Sequence, residues 1–344
     1  MKRQAAEGAS ADITISDIAA RTGVSIRTVS RVLNRSPKVN AATRERVEAV
    51  IAELGFHPSA RARGLATGRS YLIGMVHNDR NALVLDTVQR GAVGKASRCG
   101  YELVVHPTPT GNDGTVEDVV DFVKRSRVDG LLVLPPVSGV EGLADVLQAL
   151  AVPAIALSSV PIEGFPAMLL SDERGAAAAV AHHLIALGHR RVAFISGPAN
   201  VHSASERRAG FVKALAEAGC GLVGEAEGDY GFDSGVAAAT RLLALDPAPS
   251  AIFAANDVMA AGVLKAAAAR GLTVPADLSV VGFDGSILAR MLTPALTTVH
   301  RPLGEMAAQA TACLIDMIEG IPHETEMRST LRLVEAESSG PAPV

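Results

Sequence analysis

The sequence predicts a small all-α head followed by an α/β core made of two doubly wound subdomains. Three observations support this prediction. Short helices with clear end signals lie near the N-terminus, strand-like and helix-like runs alternate from residue 70 onward, and the sign of the charge changes between these two regions. At 344 residues the chain is long for a single hydrophobic core, so two or three domains are expected.

Residues 14–34 (TISDIAARTGVSIRTVSRVLN) carry the end signals of two short helices joined by a tight turn. Thr14 can cap the first helix, with Asp17 three residues later in the capping-box position. Gly23 supplies the positive φ that ends this helix, and Ser25 caps the second one. The apolar residues whose spacing lets the two helices pack together are Ile18, Ala19, Val24, Val29, Val32 and Leu33.

The outer face at the start of the second helix is polar and basic. Its residues are Ser25, Ile26, Arg27, Thr28, Ser30 and Arg31, with Thr14 and Asn34 at the two ends of the segment. A guanidinium can read guanine, an isoleucine can probe a base edge, and hydroxyls can bind phosphate. Any small three-helix domain has a polar outer face, but here the cap, the turn and the outward basic residues coincide. The segment therefore predicts a helix-turn-helix that reads the major groove of double-stranded DNA.

The distribution of charge separates the same two regions. The whole chain has a formal net charge of −4, which by itself would argue against a nucleic-acid partner. Residues 1–70, however, hold twelve Lys and Arg against six Asp and Glu, whereas the remainder holds 20 against 30. A basic head on an acidic core is the asymmetry expected when one module meets phosphate groups and the other does not.

Residues 40–54 predict a third helix, with Asn40 as its cap and Gly55 at its end. The next segment, residues 56–70 (FHPSARARGLATGRS), is short and basic, and a helix this short is marginal in water. Leu65 stands among arginines, where it would make sense as a wedge in a DNA minor groove. An ordinary exposed linker with one stray leucine fits the pattern as well. The segment predicts a hinge that is coil alone and helical only when something holds it.

From residue 70 onward, strand-like runs alternate with Ala-rich amphipathic stretches. The strand-like runs cover residues 71–77, 101–107, 129–136, 154–159, 167–172, 191–198, 251–257 and 279–285. The helix-like stretches include residues 173–187, 203–218, 233–245 and 257–270. Such alternation predicts parallel sheets covered by helices on both faces. The number of units suits two doubly wound halves better than one barrel, although periodicity alone does not exclude a barrel.

Polar residues at the ends of the predicted strands are the candidate ligand contacts, because doubly wound sheets bind ligands beyond the carboxyl ends of their strands. These residues are Asp79, Ser158, Asp172, Asn256, Asp257 and Asp284. Hydrogen bonding to a polyol is a simpler use of these side chains than acid–base catalysis. Asn256 and Asp257 would equally well cap the helix that follows them.

No catalytic or metal-binding motif is evident in the sequence, so no enzyme activity, cofactor or metal is expected. Residues 91–97 (GAVGKAS) resemble a phosphate-binding loop, but Gln89 stands where the glycine five residues before Gly94 should be. The nucleophile elbow and the common zinc spacings are absent. His182, His183 and His189 lie on or at the end of an Ala-rich helix and are expected to be structural.

Cysteine usage and hydropathy predict a cytoplasmic location. Cys99, Cys220 and Cys313 are odd in number and form no metal-ligand spacing, as expected for reduced thiols. No run of eighteen apolar residues exists, and the N-terminus has no apolar stretch typical of a signal peptide. For a DNA-binding protein this location is the bacterial nucleoid.

Together these segments resemble the lactose/galactose repressor family of bacterial transcriptional regulators across residues 13–335. Residues 14–34 resemble the family's DNA reader, and residues 44–70 resemble its third helix and hinge. Further segments follow in the family's order: VDGLLVLPP, LGHRRVAFISGP, ERRAGF, AIFAANDVMAAG, VPADLSVVGFDGS and LTPALTTVHRP.

The resemblance implies a helix-turn-helix head, a hinge helix, and a two-subdomain core like that of periplasmic sugar-binding proteins. The implied boundaries are a flexible N-terminal tail (1–12), a DNA-binding domain (13–57), a hinge (58–70), a core (71–335) and a flexible C-terminal tail (336–344). Within the core, one subdomain would comprise residues 71–170 with 303–330, and the other residues 171–299 with 331–335.

The resemblance also implies roles for individual residues. Bases would be read by Ile26, Arg27 and Arg31, and the minor groove would be entered by Leu65 with Ala62. Effector contacts would fall on Asp79, Arg207, Tyr230, Asn256 and Asp284, with Ser158 and Asp172 at neighbouring strand ends. In such a site Arg207 can hydrogen-bond two hydroxyls, and Tyr230 offers a face for a sugar ring, with Phe232 and Phe283 near the predicted pocket edges.

One departure from the family bears on the effector. Many members carry Ser-Asn-Pro-Phe-Phe after the position of Asp79, whereas residues 81–85 here are Asn-Ala-Leu-Val-Leu. Two aromatic rings that would line the pocket are therefore missing, and the effector's identity cannot be copied from better-known relatives.

The sequence thus predicts a homodimeric transcriptional repressor that binds a pseudo-palindromic operator and is controlled by a small sugar or oligosaccharide. An activator or global regulator on the same scaffold fits the sequence equally well. A solute-binding or enzymatic protein that uses the core alone is disfavoured by the intact DNA reader.

Overall fold

The computed structural model describes residues 13–33, 36, 38–56, 68–78, 81–109 and 114–343. The chain forms two compact units, the first ending at Tyr71 and the second beginning at Leu72. Some of the predicted site residues lie outside the described residues, namely Asn34, Ala62, Leu65 and Asp79. The predicted N-terminal tail and most of the predicted hinge also lie outside them.

Three helices form the first unit: α1 (Ile15–Thr22), α2 (Ile26–Leu33) and α3 (Ala41–Leu54). Thr14 precedes α1, and its backbone N–H and its hydroxyl both donate to the Asp17 carboxylate, at 2.8 and 2.7 Å. Gly23 ends α1 with a φ of 67°, a conformation that glycine adopts without steric cost. The Ser25 hydroxyl then accepts from the backbone N–H of Thr28 at 3.1 Å. The end signals of the two helices are those predicted.

A small apolar core holds the three helices together. Its buried side chains are Ile18, Ala19, Val29, Val32 and Val47. Because Val29 and Val32 face inward, the opposite face of α2 is turned to solvent.

The second unit alternates strands with helices. The strands are β1 (Leu72–His77), β2 (Glu102–Pro107), β3 (Gly130–Val133), β4 (Ala154–Ser158), β5 (Ala167–Ser171), β6 (Val192–Ser196), β7 (Leu222–Glu227), β8 (Ala251–Ala254), β9 (Ser279–Asp284), β10 (Thr297–His300), β11 (Glu326–Ser329) and β12 (Arg332–Val334). The helices are α4 (Ala82–Arg98), α5 (Thr115–Ser126), α6 (Leu143–Ala149), α7 (Glu173–Ala186), α8 (His202–Glu217), α9 (Phe232–Leu242), α10 (Asp257–Ala269), α11 (Ile287–Met291) and α12 (Leu303–Glu319).

These strands form two open sheets and no barrel. The N-terminal sheet has the order β11-β5-β4-β3-β1-β2, and the C-terminal sheet has the order β12-β10-β9-β8-β6-β7. Neighbouring strands are parallel except for β10 and β12. The prediction of two doubly wound halves is confirmed.

The chain passes between the two sheets at three crossover segments. The first crossover, residues 171–173, leads from β5 into α7, whose apolar side chains belong to the core of the C-terminal sheet. The second, residues 300–303, leads from β10 into α12, which packs on α4 and on strands of the N-terminal sheet. The third, residues 330–331, joins β11 to β12. Side chains on these segments are therefore placed to contact both sheets.

Each sheet has its own apolar core. In the C-terminal sheet, four phenylalanine rings form a connected set with centroid separations of 4.8 to 6.4 Å: Phe194, Phe211, Phe253 and Phe283. Central strands buried on both faces explain why β3, β4, β6 and β8 are almost entirely apolar.

The GAVGKAS segment lies inside α4 and forms no loop. Gly91, the first residue of this segment, has a packing role, because α4 and α12 approach closely at Gly91 and Gly304. A Cβ atom on Gly91 would lie 2.1 Å from the carbonyl oxygen of Gly304. Only a residue without a side chain fits this helix contact.

The prediction of a flexible tail over residues 336–344 is wrong for residues 336–343. The hydroxyl of Ser338, which is fully buried, donates to the Val280 carbonyl at 2.6 Å and accepts from the Thr297 N–H at 2.8 Å. The backbone N–H of Ala342 donates to the Leu187 carbonyl at 2.8 Å. The sequence SSGPAP looks like a linker, but its small residues let the backbone lie against the sheet with its polar groups paired. Across the described part of the chain, no helix is both long and apolar enough to cross a membrane.

Candidate DNA-reading face and effector cleft

The outer face of α2 gathers the predicted DNA contacts that the structure describes. Ile26 is 51% exposed, an unusual environment for an isoleucine on a small domain, and Arg27 beside it is exposed. Thr28, Ser30 and Arg31 are partly exposed. Side chains three and four residues apart share a helix face, so Arg27 and Arg31 extend in the same direction. The head presents an apolar probe and two guanidinium groups along one short helix.

In the core, Arg207 lies at the centre of a buried group of charges. Its Nε donates to Oε2 of Glu173 at 2.7 Å, and its Nη1 donates to the carbonyl oxygen of Ala255. Its Nη2 is 3.8 Å from Oδ1 of Asp284. The guanidinium carbon lies 3.9 Å from the centre of the Phe283 ring, so the group stacks on an aromatic face. Phe283 is therefore a core residue beneath Arg207 and not a pocket-edge ring as expected.

Arg301 brings a second guanidinium to the same carboxylates from the second crossover. Its Nη1 donates to Oδ1 of Asp284 at 3.1 Å, and its Nε is 3.2 Å from Oε1 of Glu173 without the alignment of a hydrogen bond. The Ser171 hydroxyl also donates to Glu173, at 2.9 Å. We call Glu173, Arg207, Asp284 and Arg301 the ionic cluster. Its side chains are at most 12% exposed, and its formal charges cancel.

The carboxyl groups at this site have shifted pKa values. Burial alone would raise the pKa of Glu173, but the charges of Arg207 and Arg301 hold it below its ordinary value. Burial raises the pKa of Asp284, and the two arginines oppose this only in part. Burial, followed by the neighbouring charge of Asp284, raises the pKa of Asp257 to about 7. The site thus keeps Glu173 ionised and penalises charge on the two aspartates.

Asn256 and Tyr230 are brought together, but Asn256 has structural partners. Its Oδ1 accepts from the Met259 N–H at 2.8 Å, which caps α10, and its Nδ2 donates to the Tyr230 carbonyl at 3.0 Å. Tyr230 adopts a φ of 66° and packs against Gly197, where a Cβ atom would lie 2.2 Å from the tyrosine ring. Asn256 therefore fixes the backbone that presents Tyr230.

Two cavities, both lined in part by Arg301, lie between the sheets. The larger, about 230 Å³, is lined by residues that include Leu83, Thr87, Asp284, Ser286, His300 and Arg301. The smaller, about 50 Å³, is lined by residues that include Val88, Ser158, Ser159, Glu173, Ser203 and Arg301. We call the two together the cleft. Pockets for small ligands usually measure roughly 300–1,000 Å³, so each of the two cavities is smaller than a usual ligand pocket.

Of the remaining predicted effector contacts, Ser158 lines the smaller cavity and Asp172 lines neither. The Ser158 hydroxyl accepts from the Val160 N–H at 3.2 Å. Asp172 is exposed and caps α7 by accepting from the Gly175 N–H at 2.8 Å. Its position at a strand end is thus explained by helix capping.

Three buried polar atoms around the cleft make no hydrogen bond of normal geometry within the described part of the chain. They are Oγ of Ser159, the hydroxyl oxygen of Tyr230 and Nε of Arg301. Tyr230 neighbours both Arg207 and Ser203, and Ser203 lines the smaller cavity. Buried donors and acceptors are nearly always paired in folded proteins, so these atoms mark a place where a water molecule or a ligand can supply the partner.

Sequence reasoning missed Glu173, Arg301 and Ser159. Glu173 follows Asp172, which was selected because it ends a strand, and Arg301 follows β10, which was not recognised as a strand. For Glu173 the available signal was a charged residue close to a predicted strand end, and for Arg301 there was no such signal. Neither residue was identified, because only the tertiary fold brings two crossover segments into contact.

A small basic head with an exposed reading helix, joined to a core of two sheets that enclose a polar cleft, defines the class of ligand-responsive DNA-binding regulators. Residues 14–59 match the model of the lacI family of bacterial regulatory proteins, and residues 181–339 match a periplasmic binding protein-like domain. The chain is 32% identical over 337 residues to Catabolite control protein A of Priestia megaterium, covering 93% of this chain and 100% of that protein. The chain therefore belongs to the lacI family of bacterial transcriptional regulators.

Two solved structures show the same architecture. A lac repressor dimer bound to operator and the anti-inducer ONPF has a TM-score of 0.78 at 30% identity, over 95% of this chain and 99% of that one. A complex of the transcriptional regulator CelR with cellobiose has a TM-score of 0.70 at 30% identity, with the same coverage. The fold, the DNA-binding head and the regulator class expected from the sequence are confirmed by these similarities.

Proposed function

We propose that this protein is a homodimeric transcriptional repressor of sugar-utilisation genes whose operator affinity is set by a small sugar or oligosaccharide bound in the cleft. The unpaired buried atoms of Ser159, Tyr230 and Arg301 carry this proposal, because they supply hydroxyl and N–H groups suited to a polyol. The cancelled charge of the ionic cluster favours an uncharged ligand. Similarity to a regulator bound to cellobiose and to a repressor dimer bound to operator supports both parts.

The predicted contacts divide into roles. Ile26, Arg27 and Arg31 read bases, while Thr14, Ser25, Thr28, Ser30 and Asn34 bind phosphate or position the head, and Ala62 with Leu65 enter the minor groove. Asp79, Ser158, Arg207, Tyr230 and Asp284 contact the effector, although neither Arg207 nor Tyr230 lines one of the two cavities described above. Asn256 and Asp172 act through the segments they cap. The function involves no catalytic step, cofactor or metal, and DNA binding places it in the bacterial cytoplasm at the nucleoid.

The DNA part of the proposal is tested with an operator selected from a random library by the full-length chain. We expect a pseudo-palindrome, because two heads of a dimer read two half-sites. Neutralising about six to ten phosphates should lower the affinity by about 10³–10⁵-fold between 50 and 200 mM salt. A flat salt response, or equally tight binding to a single half-site, would count against two heads acting together.

Arg27→Ala separates base reading from phosphate binding. We expect a loss of about 1–3 kcal/mol on the selected operator and relaxed preference at one symmetric pair of base positions. Arg46→Ala is the matched control, because it removes the same charge from an exposed position on α3. If Arg27→Ala weakens binding equally on every sequence, as a phosphate contact would, then Arg27 does not read bases.

The regulatory part is tested in cells with a reporter gene behind the selected operator. Deleting the gene for this protein should raise reporter expression, and adding the sugar should do the same in the wild type. A fall in expression on deletion would show an activator on the same scaffold.

A further inference from the structure

We propose that Glu173 and Arg301 are positioning residues. Their contact joins the first crossover to the second and so fixes the relative orientation of the two subdomains in the ligand-free protein. This inference rests on the proposed function, because it describes how the effector site is coupled to subdomain movement. It concerns two residues that the sequence analysis did not select, and it gives them a role in subdomain orientation in addition to the effector contact proposed above for the Arg301 N–H.

Glu173 and Arg301 lie on two different crossover segments. Glu173 is the first residue of α7, immediately after the first crossover leaves β5. Arg301 stands on the second crossover, immediately after β10. The two crossovers run in opposite directions between the sheets, and any rotation of one subdomain against the other must change the geometry of both. A contact between them therefore resists that rotation directly.

The contacts of Glu173 and Arg301 connect the two sheets. Arg301 bridges Glu173 and Asp284, with distances of 3.2 Å to Oε1 and 3.1 Å to Oδ1. The Arg301 backbone N–H also donates to the Asp284 carbonyl, at 3.2 Å. On the other side, the Ser171 hydroxyl at the end of β5 ties Glu173 to the N-terminal sheet. The chain of contacts thus runs from β5 of one sheet to β9 of the other.

The position of Arg207 links these contacts to the ligand. Its Nε is held by Glu173, and its Nη2 faces Asp284, so Arg207 and Arg301 share both carboxylates. A sugar hydroxyl that draws Arg207 away leaves Glu173 and Asp284 to Arg301 alone. The contacts of Arg301 with Glu173 and Asp284 then change their geometry when the effector binds. Arg301 lines both cavities, so a change in its position would change the shape of the cleft.

Two native cysteines allow the orientation to be measured without any ligand or DNA. Cys99 is exposed at the end of α4, in the N-terminal subdomain, and Cys220 is partly exposed between α8 and β7, in the C-terminal subdomain. Cys313 is buried, and burial raises the pKa of its thiol to about 11, so it stays unlabelled. Spin labels on the first two cysteines report the distance between subdomains by pulsed electron resonance, with labelled chains diluted into unlabelled ones.

The main variant is the double substitution Glu173→Gln with Arg301→Gln, which removes one charge of each sign and leaves Arg207 paired with Asp284. The matched control is Arg174→Gln with Glu206→Gln, because this neighbouring pair joins α7 to α8 within one subdomain at 2.7 Å and is more exposed. We expect one narrow distance distribution for the wild type and for the control. The double variant should give a broadened or displaced distribution with unchanged helix content by circular dichroism.

A second variant keeps the proposal falsifiable if the double variant fails to fold. Arg301→Gln alone leaves both carboxylates next to Arg207 and should also broaden the distribution, whereas Arg301→Lys, which keeps the charge, should restore part of the wild-type distance. A distribution identical to that of the wild type in a folded Arg301→Gln protein would overturn the proposal. Because neither DNA nor sugar enters this measurement, its failure would leave the proposed regulator function standing.

Discussion

Two buried polar clusters lie at opposite ends of the C-terminal sheet and differ in kind. The ionic cluster lies at the carboxyl ends of the strands, where Asp284 ends β9. At the amino ends lies a second group, the His189 cluster, made of His189, Ser250, Ser279 and the Gly340 carbonyl. The His189 ring donates to or accepts from the two serine hydroxyls at 2.9 and 3.0 Å and contacts the Gly340 carbonyl at 3.0 Å.

The two clusters differ in charge and in completeness. Burial lowers the pKa of His189, so its fully buried ring stays neutral, and both ring nitrogens have partners. The ionic cluster holds four formal charges and includes Nε of Arg301, which lacks a hydrogen bond among the described residues. A complete neutral network rigidifies a fold, whereas an incomplete charged one is costly unless something else completes it. The comparison predicts that the His189 cluster contributes to stability alone, whereas the ionic cluster contributes both to stability and, as proposed above, to effector binding.

The largest expected effect comes from Arg207→Ala. Removing one partner from a buried charge group should lower the free energy of unfolding by about 3–5 kcal/mol, because Glu173 loses its closest cation. Arg208→Ala is the control on the same helix, since it breaks only an exposed pair with Glu225 and should cost less than about 1 kcal/mol. Chemical denaturation measures both. Equal losses in the two variants would remove the distinction between a buried and an exposed pair.

The same variant should also change how the free energy of unfolding depends on pH below neutrality. Although burial alone would raise it, the arginine charges hold the pKa of Glu173 below its ordinary 4.5. Its contribution is therefore present above about pH 4.5 and is lost as the pH falls through the lowered pKa of the folded state. Without Arg207, that loss on acidification should be smaller than in the wild type.

A smaller loss of stability is expected at the amino ends of the strands, in the His189 cluster. His189→Ala should lower the free energy of unfolding by about 1–3 kcal/mol, because Ser250, Ser279 and the Gly340 carbonyl lose a buried partner. His182→Ala, at an exposed position on α7, is the control and should change little. The sugar affinity of folded His189→Ala should equal that of the wild type. A weakened affinity would mean that the His189 cluster also supports the binding site.

His189 has its own pH signature. Because burial lowers its pKa, the folded state prefers the neutral ring, and the contribution is full above about pH 6.5 and is lost as the pH falls below that value. His189→Gln should remove this loss, as measured by thermal unfolding between about pH 7 and 5.

The smallest effects are expected from deleting one hydroxyl group near each of the two clusters. Tyr230→Phe removes a hydroxyl that neighbours Ser203 but makes no hydrogen bond of normal geometry among the described residues. The free energy of unfolding should therefore stay within about 1 kcal/mol of the wild-type value, while sugar affinity falls by about 0.5–1.5 kcal/mol, roughly two- to tenfold. Ser250→Ala removes a paired hydroxyl and should show the opposite pattern, with lost stability and unchanged affinity. Calorimetric titration and denaturation together distinguish the patterns. Identical behaviour of the two variants would contradict the division of roles.

Much of the fold could be predicted from local sequence signals. Thr14, Gly23 and Ser25 mark helix ends by their own backbone preferences, and long apolar runs mark the central strands. The apolar pattern did not reveal the edge strands β11 (EMRS) and β12 (RLV), because neither carries an apolar run and both are defined by pairing with β5 and β10. Only the family resemblance implied that residues 331–335 join the C-terminal subdomain. The C-terminal segment was misjudged for the same reason, since the composition of Ser338 and its neighbours does not reveal the sheet they rest on.

The effector site could be predicted only in part. Arg207 and Asp284 followed from the resemblance and from strand ends, and the structure places them together. Glu173 and Arg301 could not be predicted in this way, because their contact joins positions 128 residues apart on two crossovers whose meeting depends on the whole core. Asp172 shows the reverse, since a polar residue at a strand end can be a helix cap.

The central claim is that the cleft controls the head, and one titration tests it most directly. The full-length protein is titrated with its selected operator, with and without the monosaccharide or disaccharide that most raises its melting temperature. We predict that the sugar changes operator affinity by about 5- to 150-fold, corresponding to about 1–3 kcal/mol of coupling. A sugar that binds and stabilises the core but leaves operator affinity unchanged would contradict the account.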